Sequence, residues 1–261
     1  MNLNRDISIV IVSYNSAFFL RNCLSSLREA SPGLNKEVIV VDNASSDDSQ
    51  EIIQREFPEV ILIANKENVG FARANNIGWK YSHGRYVLFL NPDTVLKAAA
   101  LQRMFSFMES HPEAGALGPR LVYPDGSLQF SCRRFYNVRT IIFRRTFLGK
   151  IFPDSRTLKS HLMADWAHDS VQVVDWVLAA AFFVRREILE KIGGFDEKYK
   201  LYFEDVDLCC RIKNYGYKIY YYPEAEIVHH HQRESAQKFS RKTLWHILSA
   251  VRFFNKFGWK L

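Results

Sequence analysis

Cysteine is scarce: the 261-residue chain has four (Cys23, Cys132, Cys209, Cys210), and no two stand in a C-x-x-C pair. That spacing removes zinc-ribbon and thioredoxin-type sites. A chain of this length also buries enough surface to fold without disulfides or structural zinc. Reduced thiols in a cytosolic protein are the expectation. Long apolar runs are missing too: the longest, residues 176–184, falls far short of the roughly 20 residues that span a bilayer. Met1-Asn2-Leu3-Asn4 leads directly into a strand-like segment, with no signal-peptide apolar stretch. No G-x-G-x-x-G follows that first strand-like run, which argues against ordinary dinucleotide binding, and no G-x-x-x-x-G-K-[ST] loop is present for nucleotide hydrolysis. H-E-x-x-H and G-x-S-x-G are absent, excluding zincins and the common serine hydrolases. There is no internal repeat and no low-complexity tract.

What remains is an ordinary globular composition, 48% apolar and 24% charged, which argues against disorder. The net charge of +7 is unevenly placed. Residues 133–159 carry eight Lys/Arg against Asp154, and residues 232–261 carry seven against Glu234, local excesses of +7 and +6 that leave −6 for the rest. Two basic islands are therefore attached to a mildly acidic body. No zinc-finger spacing or RNP-type motif accompanies them, so nucleic acid is not the expected partner. An anionic membrane surface explains them as well.

The first 120 residues alternate strand and helix signals. Residues 7–13 (ISIVIVS), 38–41 running into Asp42, 60–64 and 86–90 (YVLFL) read as strands buried on both faces. Between them, residues 17–29, a segment from Ser45-Ser46-Asp47-Asp48 to Phe57, and residues 71–81 read as helices, the second with an N-cap and an acidic first turn. Strands joined by helices of this length predict an α/β fold with a parallel sheet, whose ligands collect beyond the carboxyl ends of the strands. A further helix is expected over 95–108. The second half is less regular: a turn at Pro124-Asp125-Gly126-Ser127, a basic insertion over 133–170 with no clear period, and a strand over 177–184. A helix over 186–192 closed by Gly193-Gly194, a helix over 204–215 stopped by Gly216, and a strand over 217–222 ended by Pro223 complete it.

The strand ends carry the polar side chains. Ser13, Asn15, Asp42, Asn91 and Asp93 would converge on one crevice. Asp93, after a strand and a proline, suits a hard divalent cation that completes its shell with substrate phosphates, or equally caps the next helix. Asp42 can accept from a base or ribose, or form an Asx-turn. Residues 68–78 contain Gly70, Gly78, Asn68, Asn75 and Asn76, poor helix formers whose presence suggests close approach of backbone to a phosphate or base. Glu204-Asp205, after Tyr202-Phe203, would hold a general base at a helix N-terminus, or merely complement the macrodipole, as Asp207 is expected to do. His229-His230-His231 offers a metal ligand beside Asp93, although successive extended residues cannot all face one ion.

In order, Ser8-Ile9-Val10-Ile11-Val12-Ser13-Tyr14-Asn15, Val41-Asp42-Asn43-Ala44-Ser45-Ser46-Asp47, Asn68-x-Gly70-Phe71-Ala72-x-Ala74-x-Asn76-x-Gly78 and Leu90-Asn91-Pro92-Asp93-Thr94 resemble family 2 glycosyltransferases of the GT-A fold. Asp175-Trp176, Gly193-Gly194-Phe195-Asp196, residues 202–208 (YFEDVDL) and Pro223 to His229 followed by Gln232-Arg233-Glu234-Ser235 continue the resemblance. Asn-Pro-Asp is similar to the rhamnosyltransferase-like branch. The resemblance implies a Rossmann-like, mostly parallel sheet flanked by helices, with residues 1–120 binding the nucleotide-sugar and 121–235 the acceptor. It implies that Asp42 contacts base or ribose, and that Asn68 and Asn76, with Gly70, Ser13, Asn15, Asn91 and Trp176, line the donor site. Asp93 and His229 would hold Mg²⁺ or Mn²⁺, with His230 and His231 as alternatives to His229. Asp205 would be the base and Glu204 would orient the acceptor. Ala179-Ala180-Ala181 stands where many relatives carry Gly-Ala, which would narrow the acceptor side.

The expected activity is an inverting single displacement. The donor would be dTDP-L-rhamnose, or else a UDP-hexose or UDP-galactofuranose, and the acceptor a glycan or lipid-linked glycan of the cell envelope. A sugar-nucleotide pyrophosphorylase is disfavoured by the lack of a Gly-rich loop after the first strand. A non-catalytic nucleotide-sugar-binding module is disfavoured by the acids and histidine together. Residues 236–261 read as a basic amphipathic helix. Leu244, Ile247, Leu248, Val251 and Phe254 form its stripe, with Trp245, Phe253, Phe257 and Trp259 in support and Arg241, Lys242, Arg252 and Lys256 alongside. It would lie in a membrane interface on the inner face of the cytoplasmic membrane, or pack on the domain.

Overall fold

A computed structural model describes residues 5–30, 33–145, 151–152, 154–230 and 241–259. Strands β1 (Arg5–Ser13), β2 (Lys36–Asp42), β3 (Ile61–Ala64) and β4 (Gly84–Leu90) are parallel, in the order β3-β2-β1-β4. Their connecting helices are α1 (Ala17–Glu29), α2 (Ser49–Glu56) and α3 (Phe71–Tyr81). Apolar residues recur in α1 at Leu20, Cys23, Leu24 and Leu27, so one stripe is buried against the sheet. Alternate residues of β1 feed opposite cores: Ile7, Ile9 and Ile11 one side, Val10 the other. The chain reverses direction of growth at β1 and β4, the place where open α/β sheets form a ligand crevice. Ser13 pairs with Asp42 and Asp42 with Ala64, so three strand ends finish flush there.

Gly78 explains part of the unusual composition of α3. A Cβ at residue 78 would collide with the Val10 side chain and stand 3.2 Å from Val41, so this glycine serves close helix–sheet packing, with no phosphate or base needed to account for it. Gly70 differs: it caps α3 with φ 85° and open space around its missing Cβ, so conformation demands it.

The same sheet continues into the second half through β11 (Ala181–Arg185), β6 (Ala114–Val122), β12 (Lys218–His229) and β5 (Thr94–Leu96), with β7 (Leu128–Gln129) on β6 and β9 (Gln172–Val174) on β12. A small antiparallel pair, β8 (Cys132–Arg133) with β10 (Trp176–Val177), stands apart from it. Helices α4 (Ala100–Ser110), α7 (Arg186–Ile192) and α8 (Glu204–Asn214) complete the layers. The helix expected over 95–108 starts only at Ala100, because Thr94–Leu96 pairs antiparallel with β12. The strand expected over 177–184 is two strands in two sheets, parted by a turn at Ala179-Ala180. Pro223 does not end its strand: β12 crosses it through a register irregularity between Tyr222 and Glu226, where a missing N–H breaks no ladder bond.

The basic insertion is also more structured than its lack of period suggests. It contains α5 (Val138–Arg145) and α6 (Arg156–Leu162), and buries Tyr136, Thr140, His161, Met163 and His168. Aromatic stacking rather than helical periodicity organises it, Tyr136 lying 5.6 Å from Trp176 ring to ring.

Helix α9 (Arg241–Phe257) packs on the domain through His246, Ser249, Ala250, Phe253 and Phe254. Of the stripe expected to face lipid, Phe254 is in this core. Leu244, Ile247, Leu248 and Val251 lie on the opposite face, 40–56% exposed. Arg252 and Lys256 form ion pairs with Asp196, and Lys256 also with Asp207. Among the described residues no helix is long and apolar enough to cross a membrane.

Candidate active site

Short side chains knit the ends of β1, β2 and β3 together. Asn15, in the left-handed region at φ 50°, accepts from Ser46 N and Ser46 Oγ, while its own N–H donates to Ser45 Oγ. Asp47 accepts from Ala17 N at 2.9 Å and from Ser49, tying the starts of α1 and α2 together. Asn43 donates to Asn68 Oδ1 and accepts from Asn65 and Val69 N; Asn68 also accepts from Gly70 N. Ser13 Oγ lies 2.7 Å from Ser16 Oγ. Asp42 Oδ1 accepts from Ser45 N, the Asx-turn weighed above, and from Gln50 Nε2. Its other oxygen, Oδ2, is buried with no partner. A buried carboxylate oxygen left so is costly, and a ribose or base donor is the kind of group that would satisfy it.

Asn76 does not join this group. Its amide donates to Phe195 O and Glu197 and accepts from Phe195 N and Trp79 Nε1, so all its capacity goes to fastening α3 to the 194–197 loop. Gly194, at φ 74°, lets that loop approach: a Cβ there would stand 2.5 Å from Asn76 Oδ1. A donor-lining role for Asn76 is therefore not what its geometry favours.

Asp93 follows β4 through Asn91-Pro92, and its carbonyl accepts from His230 N at 2.9 Å. The ring of His229 faces it, Nε2 to Asp93 Oδ1 being 3.4 Å. Gln129 on β7 decides which nitrogen does so: its Nε2 donates to His229 O at 2.7 Å, which turns its Oε1 to the His229 Nδ1, 2.9 Å away. Nδ1 is therefore the protonated nitrogen and Nε2 the one presented to the carboxylate. Adjacent ligands of an octahedral ion at about 2.1 Å stand about 3 Å apart, so this nitrogen–oxygen pair fits a hard divalent cation completed by substrate phosphates. Among the described residues no cluster of three or more His, Cys, Asp or Glu exists that would hold one unaided. His230 turns to Phe19, ring centroids 5.4 Å apart, and His231 lies outside the described residues, as do 232–235.

Glu204 and Asp205 open α8 directly after two consecutive left-handed residues, Tyr202 (φ 65°) and Phe203 (φ 69°). Each costs of order 1–2 kcal/mol in a bulky residue, and together they aim the carboxyls off the helix end. Asp205 Oδ1 accepts from Val206 N at 2.9 Å and Oδ2 from Ala179 N at 3.4 Å. Burial raises the pKa of both acids. For Glu204, whose Oε2 is buried without a partner, burial and then the neighbouring Asp205 push it up to about 8. For Asp205 the rise is opposed by the two N–H donors and by Arg133. The N–H donors and Arg133 thus work against burial at Asp205, whereas burial and the neighbouring Asp205 both act to keep Glu204 protonated. Asp207 is a buried ion-pair partner of Arg211 and Lys256, more than the simple dipole complement expected.

Two short chain segments bring these groups together. Asn91 N donates to Ala180 O at 2.9 Å while Ala179 N reaches Asp205, so the 179–180 turn touches both the Asp93 strand end and the acids of α8. Residues 129–133 run from Gln129, against His229, to Arg133, whose charge bears on Asp205. Asn91 itself is half-buried beside them. Trp176 is buried, donates from Nε1 to Arg134 O, and lies under Arg133, 5.1 Å from its guanidinium carbon, so it is placed by the acids rather than by Asp42. Gln129 and Arg133 carried no signal in the sequence: a lone glutamine and one arginine of a basic island acquire meaning only from the strand pairing.

The model of the family described as "Glycosyl transferase family 2" matches residues 8–166, more than half of the chain. An N-acetylglucosaminyl-diphospho-decaprenol L-rhamnosyltransferase of Mycobacterium tuberculosis is 29% identical over 234 residues, 85% of this chain and 75% of its own. Rhamnosyltransferase WbbL of Escherichia coli K12 is 27% identical over 255 residues, 94% and 91% of the two chains. Among solved structures, GalNAc-T7 with UDP, GalNAc and Mn²⁺ superposes with TM-score 0.70 at 16% identity over 96% of this chain, which spans about half (48%) of that one. The mannosyltransferase PcManGT of Pyrobaculum calidifontis, with GDP-Man and Mn²⁺, gives 0.61 at 19% identity over 98% and 72% of the chains. These likenesses establish the GT-A fold.

Proposed function

This chain belongs to glycosyl transferase family 2 and is a glycosyltransferase, and from that premise we propose that it transfers one sugar with inversion, in a metal-dependent single displacement. The observation that supports this reading is that the 179–180 turn is bonded on one side to Asn91, two residues before the Asp93 that faces His229, and on the other to Asp205. Asp205 accepts the proton of the acceptor hydroxyl as that oxygen forms its bond to C1 of the donor sugar and the bond to the diphosphate breaks. Glu204, protonated, donates a hydrogen bond that orients the acceptor. Asp93 and His229 would hold Mg²⁺ or Mn²⁺, and Gln129 keeps the His229 ring turned toward Asp93. The cation, when bound, neutralises charge building on the departing diphosphate. Asp42, Asn68, Gly70, Ser13, Asn15 and Asn91 form the nucleotide side, residues 1–120, and the acceptor enters from the half spanning 121–235.

The donor is dTDP-L-rhamnose and the acceptor a glycan or lipid-linked glycan of the cell envelope, a reading supported by the rhamnosyltransferase names of two relatives. A UDP-hexose or UDP-galactofuranose is the alternative donor. The work is done at the inner face of the cytoplasmic membrane, supported by the outward apolar stripe of α9. Thermal stabilisation by dTDP or UDP with and without Mn²⁺, followed by transfer from dTDP-rhamnose, tests the scheme. Cation-enhanced stabilisation by dTDP and rhamnosyl transfer are expected; transfer undiminished by a chelator would refute the metal, and transfer from UDP-sugars alone the donor. Flotation with anionic liposomes tests the membrane part, which fails if the protein stays unbound at low salt.

A further inference from the structure

Arg133 and Arg144, both from the basic insertion, converge on the Tyr136–His161–Trp176 cluster, where among the described residues neither has an ion-paired acid. Arg133 lies over the Trp176 ring; its Nη2 donates to Phe130 O at 3.3 Å, and its Nε is buried with no partner. Arg144 reaches in from α5, its Nη1 donating to Tyr136 Oη at 2.9 Å and lying 3.1 Å from His161 Nε2. His161 accepts that bond as a neutral ring, since burial and then the two arginines push its pKa down to about 2. Among the described residues no carboxylate forms an ion pair with either arginine. The acid whose field reaches Arg133 is Asp205. Burial, then repulsion from Arg144, lowers the Arg133 pKa, the mark of cations held together against their preference.

Arg133 is half-buried with its Nε unpartnered and has a second cation, Arg144, acting on it, an arrangement that an anion would relieve. Two guanidinium forks supply the geometry that phosphate oxygens take. The place is tied to the acids by stacking: Tyr136 lies 5.6 Å from Trp176 and 4.8 Å from Phe203, which directly precedes Glu204. Those rings connect the arginines to the start of the helix that carries the acids. We infer that Arg133 and Arg144 bind a phosphate or diphosphate group of the acceptor, holding it beside Asp205 while its sugar hydroxyl is deprotonated. This rests on the glycosyltransferase reading above and adds the chemical class of the acceptor.

Isothermal titration of the full chain, already saturated with dTDP and Mn²⁺, with farnesyl diphosphate or inorganic pyrophosphate reads the second site alone. Wild type should bind both; Arg144→Gln, at an exposed position, and Arg133→Lys, which keeps charge but loses the fork, should each weaken them about tenfold or more, with dTDP affinity unchanged. Equal binding by wild type and both variants overturns the inference, as does no binding to wild type. An equal loss of dTDP affinity overturns it too, by assigning the arginines to the donor. If dTDP binds and farnesyl diphosphate does not, only this inference falls; if neither binds, the donor-site reading falls with it.

Discussion

The two sides of the crevice are built on opposite terms. On the proposed nucleotide side, Asn15, Asn43, Asp47 and Asn68 hydrogen-bond to one another's loops over short spans, and among the described residues Asp42 Oδ2 is left without a partner. On the acid side, Tyr202 and Phe203 are strained, and among the described residues Glu204 Oε2 and Arg133 Nε are buried without partners and Arg133 and Arg144 have no ion-paired acid. One side is satisfied apart from that one oxygen and shapes backbone; the other leaves more of its polar atoms without partners. Satisfaction marks scaffold and frustration marks a place where a ligand completes the chemistry.

The sharpest way to break that contrast is at the proposed base. Asp205→Asn should cut transfer by about 10²–10⁴-fold while leaving dTDP affinity intact, as single-turnover assay and calorimetry would read. Near-normal turnover would place the base elsewhere.

Glu204 offers a pH test with a definite sign. Its folded pKa, about 8, lies above its ordinary 4.5, so the folded state holds a proton that the unfolded state has released. Its stability contribution is complete below about pH 4.5 and is lost as pH rises through about 8. Wild-type Tm should therefore fall more steeply than that of Glu204→Gln between pH 5 and 8, and parallel curves would show that Glu204 ionises normally.

Asn76 probes the satisfied class. Asn76→Ala should lower stability by about 2–3 kcal/mol, seen in urea melts, with nucleotide affinity unchanged; a selective loss of nucleotide binding would return it to the donor site. The mildest change is at Gln129. Gln129→Leu frees the His229 ring, and Mn²⁺ affinity measured by EPR should fall about 10–100-fold while metal-free dTDP binding holds. An unchanged Mn²⁺ affinity would reduce Gln129 to packing.

Legibility followed the same divide. The bounds of α1, α3 and α7 were readable because apolar period, Gly70 and Gly193-Gly194 act locally. The extent of β5 and the continuation of β12 past Pro223 were not, since each depends on a partner more than a hundred residues away. At the site, Asp93, His229, Glu204 and Asp205 stood out by residue type and position in the chain. Gln129, Arg133 and the left-handed pair 202–203 did not, because a side chain's partner and a backbone's φ follow from tertiary packing. Asn76 shows a related limit: an odd residue in a helix advertises a demand, but not whether a ligand or, as its bonds to the 194–197 loop suit, a neighbouring loop makes it.

Helix α9 reaches further than its place at the end of the chain implies. His246 lies 5.1 Å from Tyr202 and 5.2 Å from Phe203, Ser249 donates to Leu201 O, and Lys256 grips Asp207 one turn into α8. The tail thus works as a splint on the two residues that set the angle of the acids. Whatever touches its outer face is thereby mechanically in series with Glu204 and Asp205.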